Sequence, residues 1–384
     1  MNRTRKNSWM VRFILLLAVL LAACGSFGEA VQPVETALIA PTATQPAPAA
    51  TEVSLPPTLE PVIPTRPVPV ATPTLVPGTF TNPVFDRDFP DPDVLQAGGS
   101  YYAYATNSSS MNIQVARSDD LVTWRLIKDA LPVLPQWAVK SFGWVWAPEV
   151  TTDARGENYL MYFTARYAIG SDGAQCIGVA IAGQPEGPFR SRAEKPLICQ
   201  LGQGGSIDAA SFVDDDGARY LLWKNDGNAG GGQSWLYIQR VSDNGLSLLG
   251  EPTRLITADQ AWEGILVEAP TLWKQAGKYY LFYSANDYTS PRYAIGYAVA
   301  TNVLGPYEKP AQALLSTNLS AGVVGPGGQD IIQAPDDRTW ILFHSWTSGG
   351  YRNLHLAPLA WDNGIPGVAN LSKEPLEVPV LTGD

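Results

Sequence analysis

Residues 91–104 read DPDVLQAGGSYYAY, in which an acidic residue precedes an aromatic strand by ten residues. The same arrangement returns four more times, with ten to twelve residues between the acid and the strand. The acids are Asp91, Glu149, Asp208, Glu268 and Asp330. A repeat of about 60 residues is the size of one four-stranded propeller blade. The sequence therefore predicts an all-β fold, a five-bladed β-propeller over residues 79–384, with the five acids near its axis.

The composition fits a domain of short strands joined by turns. The chain has 35 glycines, 32 prolines and 12 tryptophans, and aromatic surface of this kind can stack on sugars. A net charge of -10 opposes binding to nucleic acid or anionic lipid, whereas a neutral plant polysaccharide or oligosaccharide is a compatible partner. The histidines are His344 and His355, too few for a metal centre built from several histidines.

Residues 1–24 have the features of a bacterial lipoprotein signal peptide. Basic residues precede an apolar run from Phe13 to Ala23, which is shorter than a typical membrane-spanning helix. The run ends in Leu21-Ala22-Ala23-Cys24, where small residues precede a lone early cysteine. We expect lipidation of Cys24 and a protein held by this anchor outside the cytoplasm, at the cell surface or the periplasmic face. An uncleaved signal anchor is the alternative.

Residues 25–78 are rich in proline and threonine and have no apolar periodicity, so we expect a disordered linker there. At about 3 Å per residue, a linker of about 50 residues could hold a catalytic domain on the order of 150 Å from the membrane.

Two further cysteines, Cys176 and Cys199, fall within one repeat. Outside the cytoplasm such a pair can oxidise, and a bridge closing a loop of this size would stabilise the fold by roughly 3 kcal/mol. Two buried free thiols are the alternative.

Three of the five acids have unusual neighbours. Asp91 lies between two prolines, which restrict the backbone on both sides and fix the direction of the carboxylate. Asp208 stands among small residues, and Glu268 stands between apolar ones. Carboxyl groups that converge on one cavity can serve as acid and base, so the leading hypothesis is a hydrolase.

With these segments the chain resembles glycoside hydrolase family 43, the five-bladed arabinanases, arabinofuranosidases and β-xylosidases. The resemblance covers nearly all of residues 79–368. It rests on Asp91-Pro92-Asp93, Trp146-Ala147-Pro148-Glu149, Ile207-Asp208-Ala209-Ala210, Glu268-Ala269-Pro270 and Gly325-Pro326-Gly327-Gly328, in this order. It implies that Asp91 is the general base, Glu268 the general acid, and Asp208 the residue that modulates the pKa of the acid and orients it. Asp93 competes with Asp91 for the role of base.

Other residues receive supporting roles by the same resemblance. Glu149 and Asp330 are expected to be scaffold residues. Trp146 is expected near the sugar, with Trp144 as a second stacking candidate, although either tryptophan could instead be a packing residue. The remaining candidates for the pocket lining are Phe212 and Asn225.

One departure from the family pattern concerns a bound ion. Many relatives carry a histidine near an axial ion at the position that is Gly328 here. The resemblance therefore gives little support to an axial calcium ion, and we expect no cofactor to be required. His344 is the candidate that could approach the same region from the last blade, and a core histidine is its alternative.

The resulting hypothesis is an inverting glycoside hydrolase that cleaves α-L-arabinofuranosidic linkages in arabinan or arabinose-bearing plant polysaccharides and acts as a monomer. A β-xylosidase is the alternative within enzymes. A non-catalytic carbohydrate-binding propeller is the alternative outside them, but a binding protein has no need for an acid and a base on opposite sides of one pocket.

Overall fold

The computed structural model describes residues 78–168, 173–334, 337–369 and 371–379. Within them the chain forms twenty strands and three short 3-10 helices, at Leu201–Gln203, Gly227–Gly230 and Ala261–Glu263. The strands are β1 (Thr79–Phe80), β2 (Asp93–Ala97), β3 (Ser100–Ala105), β4 (Gln114–Ser118), β5 (Arg125–Asp129), β6 (Val145–Thr152), β7 (Tyr159–Arg166), β8 (Gln175–Ala182), β9 (Ser206–Val213), β10 (Arg219–Asn225), β11 (Trp235–Val241), β12 (Leu248–Thr257), β13 (Val267–Gln275), β14 (Lys278–Ala285), β15 (Ala294–Ala300), β16 (Gly327–Gln333), β17 (Thr339–Trp346), β18 (Arg352–Asp362), β19 (Ile365–Val368) and β20 (Leu376–Glu377).

These strands form five antiparallel blades in chain order. Blades I, III and V have four strands each, β2–β5, β9–β12 and β16–β19. Blades II and IV have three, β6–β8 and β13–β15. The first strand of each blade contacts the first strand of the next, and β16 contacts β2, so the ring is closed. The prediction of a five-bladed β-propeller is confirmed.

The aromatic strands of the repeat are the second strands of the blades, and they form the core. Six consecutive residues of β7 are buried, which means that both of its faces are covered. A strand between two neighbouring blades has no solvent face, so its sequence is a continuous apolar run instead of an alternating one. This burial explains why the aromatic strands carried the repeat so clearly in the sequence.

The two ends of the domain meet beside blade V. Strand β1 pairs with β20, joining Phe80 to Leu376. The segment after β1 also pairs with β18, where Phe85 lies opposite Leu354. The start of the domain thus adds backbone hydrogen bonds to the last blade and closes the ring.

The inner strands share a left-handed kink that places the acids. One residue in or just before each inner strand has a positive φ, namely Asp91 (53°), Ala147 (40°), Asp208 (56°), Ala269 (48°) and Gly328 (54°). Asp91 and Asp208 occupy this kink position, and Glu268 comes one residue before it. Glu149 and Asp330 come two residues after it, as does Asp93. The five acids of the repeat therefore occupy three different positions relative to the kink, although their spacing in the sequence is nearly constant.

Several sequence predictions concern other parts of the chain. Cys176 of β8 is bonded to Cys199, with 4.7 Å between their Cα atoms. The predicted signal peptide, Cys24 and all of the predicted linker except Gly78 lie outside the described residues. No helix among the described residues has both the length and the apolar character needed to span a membrane.

Candidate active site

A cleft of about 1300 Å³ contains the three acids with unusual sequence neighbours. Asp91 comes from the lead-in to blade I, Asp208 from blade III and Glu268 from blade IV. Blades I and IV are not neighbours in the ring, so Asp91 and Glu268 enter the cleft from separate walls.

The Asp91 carboxylate accepts hydrogen bonds from two side chains, and the backbone of Asp91 makes a third contact. The Thr106 hydroxyl donates to its Oδ2 at 2.6 Å, and Arg352 Nη1 donates to its Oδ1 at 3.1 Å. The Asp91 backbone N–H donates to His344 Nδ1 at 3.1 Å. Burial by itself would raise the pKa of Asp91, but the Arg352 charge and these hydrogen bonds outweigh it and lower the pKa below 3.8. The group is ionised at neutral pH, as a base must be.

Glu268 has a different environment, in which both oxygens accept a hydrogen bond. Lys224 Nζ donates to its Oε2 at 2.8 Å, and the Tyr293 hydroxyl donates to its Oε1 at 2.9 Å. The Lys224 side chain is 1% exposed and that of Glu268 is 13% exposed. Asp226 adds a second carboxylate 3.6 Å from Lys224 Nζ. These contacts fix the plane of the Glu268 carboxyl group while leaving it open to the cleft.

Asp208 lies beside Glu268 and is the most strongly perturbed acid of the cleft. Its Oδ2 accepts the Ala269 backbone N–H at 3.0 Å, which ties it to the residue after Glu268. Burial and then the Glu268 charge raise the pKa of Asp208 to about 7. Two buried carboxyl groups this close do not readily ionise together, so the pair retains a proton near neutral pH.

Beneath the cleft, a cavity of about 40 Å³ on the axis is lined by an axial acid cluster, defined here as Asp93, Glu149 and Asp330. Burial, followed by the charge of Glu149, raises the pKa of Asp330 to about 8. The pKa of Asp93 is raised well above 3.8 by burial and by the charges of Glu149 and Asp330. Asp330 therefore holds a proton at neutral pH, unlike Asp91, and Asp93 is buried below the cleft. Asp91 is therefore the better placed of the two for the role of base.

The axial acid cluster also joins the blades. Each inner strand is linked to the next by a hydrogen bond that involves a side chain near the kink. The links are Val150 N to Asp93, Ser211 Oγ to Glu149, Ala269 N to Asp208, Gln329 Nε2 to the Ala269 carbonyl, and Val94 N to Asp330. The scaffold role expected of Glu149 and Asp330 thus has a direct physical basis.

The residues on the axis do not fit a calcium ion. Among the described residues, no three His, Cys, Asp or Glu side chains are grouped so that they could hold a metal. A Cβ at Gly328 would lie 2.7 Å from His344 Nδ1, so the His344 ring occupies the space where a side chain from position 328 would enter. His344 Nδ1 itself is engaged by Asp91. Calcium prefers several free oxygen ligands, and one oxygen each of Asp93, Glu149 and Asp330 already accepts a hydrogen bond from a neighbouring blade.

The remaining predicted contacts divide into those at the cleft and those away from it. Trp146 lines the cleft. Trp144 is outside its lining, and the Arg166 guanidinium covers the Trp144 ring at 3.5 Å, where it would compete with a sugar for that face.

The expectation that Phe212 and Asn225 line the pocket is wrong. Phe212 packs between blades III and IV, against Tyr220 and Tyr279. Asn225 is buried, and its amide group bonds the backbone of Gln203, Gln233 and Trp235. Both side chains therefore support the scaffold.

Four contributors to the site were missed by sequence reasoning, namely Thr106, Lys224, Tyr293 and Arg352. Lys224 did leave a signal, because a lysine within the apolar strand β10 needs a buried partner. Arg352 left none, since it lies 261 residues from Asp91 and follows an ordinary turn.

The fold and the paired carboxyl groups of this cleft match those of glycoside hydrolases, a class of enzymes that works with such pairs. Residues 80–366 match glycosyl hydrolases family 43, and the chain belongs to this family.

Individual relatives are similar over the same region. A β-xylosidase of Bacillus subtilis is 31% identical over 69% of this chain and 49% of its own length. An extracellular endo-α-(1->5)-L-arabinanase of the same species is 25% identical over 72% of this chain and 86% of its own length. A thermostable family-43 glycoside hydrolase of known structure superposes with a TM-score of 0.69 at 33% identity, covering 78% of this chain and 99% of that one. This chain thus spans about half the length of the β-xylosidase that it matches.

Proposed function

We propose that this protein hydrolyses glycosidic bonds with inversion of configuration, with Asp91 as general base and Glu268 as general acid. The observation that carries the proposal is the presence of an ionised, arginine-paired Asp91 and a lysine-held Glu268 on separate walls of one cleft. Asp91 takes a proton from a water molecule, whose oxygen attacks the anomeric carbon. The bond to the leaving oxygen breaks, and Glu268 gives that oxygen the proton that the Glu268–Asp208 pair retains near neutral pH.

Inversion requires room for this water between the sugar and the base. Carboxyl groups of inverting enzymes stand about 6.5–9.5 Å apart, because water must fit on the face opposite the leaving group. The origin of Asp91 and Glu268 in blades that are not neighbours supports such a separation. Asp208 modulates the acid, because its charge and its bond to Ala269 act directly beside Glu268.

The proposed substrates are α-L-arabinofuranosides in arabinan or arabinose-bearing plant polysaccharides. The similarity to an endo-arabinanase over 86% of its length supports this choice. The similarity to a β-xylosidase, at 31% identity, supports β-xylosides as the second candidate. Membership of an enzyme family and the assembled acids argue against a propeller that only binds carbohydrate.

The decisive experiment compares three substrates, 4-nitrophenyl α-L-arabinofuranoside, 4-nitrophenyl β-D-xyloside and linear arabinan, with proton NMR to identify the first anomer released. We expect arabinoside cleavage with inversion. On an oligosaccharide, Asp91→Asn and Glu268→Gln should each lower kcat by about 10² or more. The exposed Asp119→Asn variant is the matched control and should keep wild-type activity. Release of the retained anomer, or full activity in either site variant, would contradict the proposed mechanism.

We also propose, from the sequence of residues 1–24, that Cys24 is lipidated and anchors the enzyme outside the cytoplasm. Cells fed radiolabelled palmitate should incorporate label into the wild-type chain and not into Cys24→Ala. Equal labelling of both chains would refute the anchor.

A further inference from the structure

Two stacked aromatic rings connect the proposed acid to the proposed base. Tyr293 and His344 lie with ring centroids 6.0 Å apart and planes inclined by 6°, an offset parallel stack. At one end, the Tyr293 hydroxyl donates to Glu268 Oε1 at 2.9 Å. At the other, His344 Nδ1 accepts the Asp91 backbone N–H at 3.1 Å. A continuous chain of contacts therefore runs from the Glu268 carboxyl group through the two rings to the backbone N–H of Asp91.

The packing leaves these rings no freedom. Tyr293 is 2% exposed and His344 is fully buried. Gly327 and Gly328 supply the space, because a Cβ at Gly327 would overlap the Tyr293 ring and one at Gly328 would lie 2.7 Å from His344 Nδ1 and 3.0 Å from the Asp91 Cα. The glycine pair thus allows strand β16 to press both rings against the catalytic residues.

The protonation state of His344 follows from its partners. Because Nδ1 accepts a hydrogen bond, the hydrogen-bond network assigns the ring proton to Nε2. Burial, and then the nearby Arg352 charge, lower the pKa of His344 to about 3. The ring is therefore neutral, and it holds the Asp91 backbone in its left-handed conformation without adding a charge next to the carboxylate.

We infer that Tyr293 and His344 are positioning residues that act as one unit, with Tyr293 orienting Glu268 and His344 orienting Asp91. This inference rests on the roles proposed above for the two acids. Fixed geometry is valuable here because the water and the leaving oxygen react on opposite faces of one sugar carbon.

The test uses two substrates with different leaving groups to tell the role of Tyr293 at Glu268 from the role of His344 at Asp91. Protonation by the acid matters less for a good leaving group, so 4-nitrophenyl and 4-methoxyphenyl glycosides of the same sugar report on Glu268. Tyr293→Phe keeps the stack and removes only the hydroxyl. We expect its kcat to fall on the order of 10-fold on the methoxyphenyl substrate and much less on the nitrophenyl substrate, with KM nearly unchanged. His344→Phe keeps a ring and removes the acceptor, and its kcat should fall equally on both substrates.

A third variant tests whether the stack joins the two ends. His344→Asn restores an oxygen that can accept the Asp91 N–H but removes the ring that supports Tyr293. We expect its kcat on the nitrophenyl substrate to return towards that of the wild type. Its kcat on the methoxyphenyl substrate should stay low, as in Tyr293→Phe.

Two matched controls exclude a general packing effect. Tyr280→Phe removes a buried hydroxyl that bonds the Gly364 carbonyl, and His355→Phe replaces a buried histidine that stacks on Phe343. Thermal unfolding of all variants shows which remain folded. If Tyr293→Phe and His344→Phe match these controls in kcat and in leaving-group dependence, the inference is overturned. If Asp91→Asn and Glu268→Gln themselves retain full activity, the proposed function fails instead.

Discussion

Lys224 Nζ lies 2.8 Å from Glu268 Oε2, and the Lys224 side chain is almost fully buried. Burial opposes the ammonium charge, but the charges of Glu268, Asp208 and Asp226 outweigh it and raise the pKa of Lys224. One cation thus balances a group of acids in the wall of the cleft, and it holds the proposed general acid in place.

Replacing Lys224 by Met should destabilise the protein in a pH-dependent way. Breaking a buried ion pair costs about 3–5 kcal/mol because the remaining charges lose their partner. Without the lysine, the nearby carboxyl groups ionise less readily in the folded state than in the unfolded state. The loss in the free energy of unfolding should therefore be larger at pH 8 than at pH 5. Urea unfolding at both pH values measures it.

Lys274→Met is the control for that experiment, because the ion pair between Lys274 and Asp214 is more exposed and should contribute less to stability. An equal loss for Lys224→Met at pH 5 and pH 8 would be inconsistent with the balance of charges described above.

Arg352 should set the acidic limb of the activity profile. Asp91 has a lowered pKa in spite of its burial, and the Arg352 charge is the main cause of the lowering. In Arg352→Met the pKa of Asp91 should rise, and the acidic limb of kcat/KM should move to higher pH by about one unit or more. The pH dependence of initial rates measures this shift, with Arg117→Met on the surface of blade I as control. An unmoved limb would show that Arg352 does not govern the ionisation of the base.

Asp330 should make the protein less stable as pH rises. Its pKa is about 8 when folded and 3.8 ordinarily, so the folded state holds a proton that the unfolded state has lost. The stability linked to this proton is complete below pH 4 and is lost as pH rises towards 8.

Asp330→Asn has no proton to lose and can still accept the Val94 N–H, so its thermal midpoint should decline less between pH 5 and pH 9. Asp119→Asn removes an acid whose pKa is lowered, and it should leave this decline unchanged. Identical declines in wild type and Asp330→Asn would disprove the linkage.

The disulfide should contribute measurably to stability. Cys176 and Cys199 are separated by 23 residues, and closing a loop of this size lowers the entropy of the unfolded chain by an amount worth roughly 3 kcal/mol. The Cys176→Ser/Cys199→Ser double variant should lose about that amount in the free energy of unfolding that urea titration extrapolates to water. A reducing agent should destabilise the wild type and leave the double variant unaffected. A wild type that does not respond to reduction would argue against the bond.

The sequence predicted the fold well because a single physical cause, burial on both faces, marked all five aromatic strands. It predicted less of the acid arrangement. The acids stand at the kink, one residue before it or two residues after it, and a period of about 60 residues cannot resolve such differences. By position in the repeat alone, Glu149 and Glu268 look equivalent, although one joins blades on the axis and the other faces the cleft.

Local neighbours distinguished Asp91, Asp208 and Glu268 from the other acids, but not their partners. Arg352 and Tyr293 reach the acids through tertiary contacts that no short motif encodes. Phe212 was predicted to line the pocket because it is close to Asp208 in the sequence. It stands four residues from Asp208 on the same strand, but there the strand lies between blades III and IV and not at the cleft.

The recurrence of the left-handed kink offers a route for redesign. Ala147 lines the cleft with φ at 40°, a conformation that asparagine and aspartate adopt more readily than alanine. Replacing Ala147 by either residue would relieve backbone strain while adding a hydrogen-bonding group to the wall of the cleft. The pseudosymmetry of the blades thus provides a position for a new polar side chain at Ala147. The same backbone conformation already carries an acid at Asp91 and at Asp208.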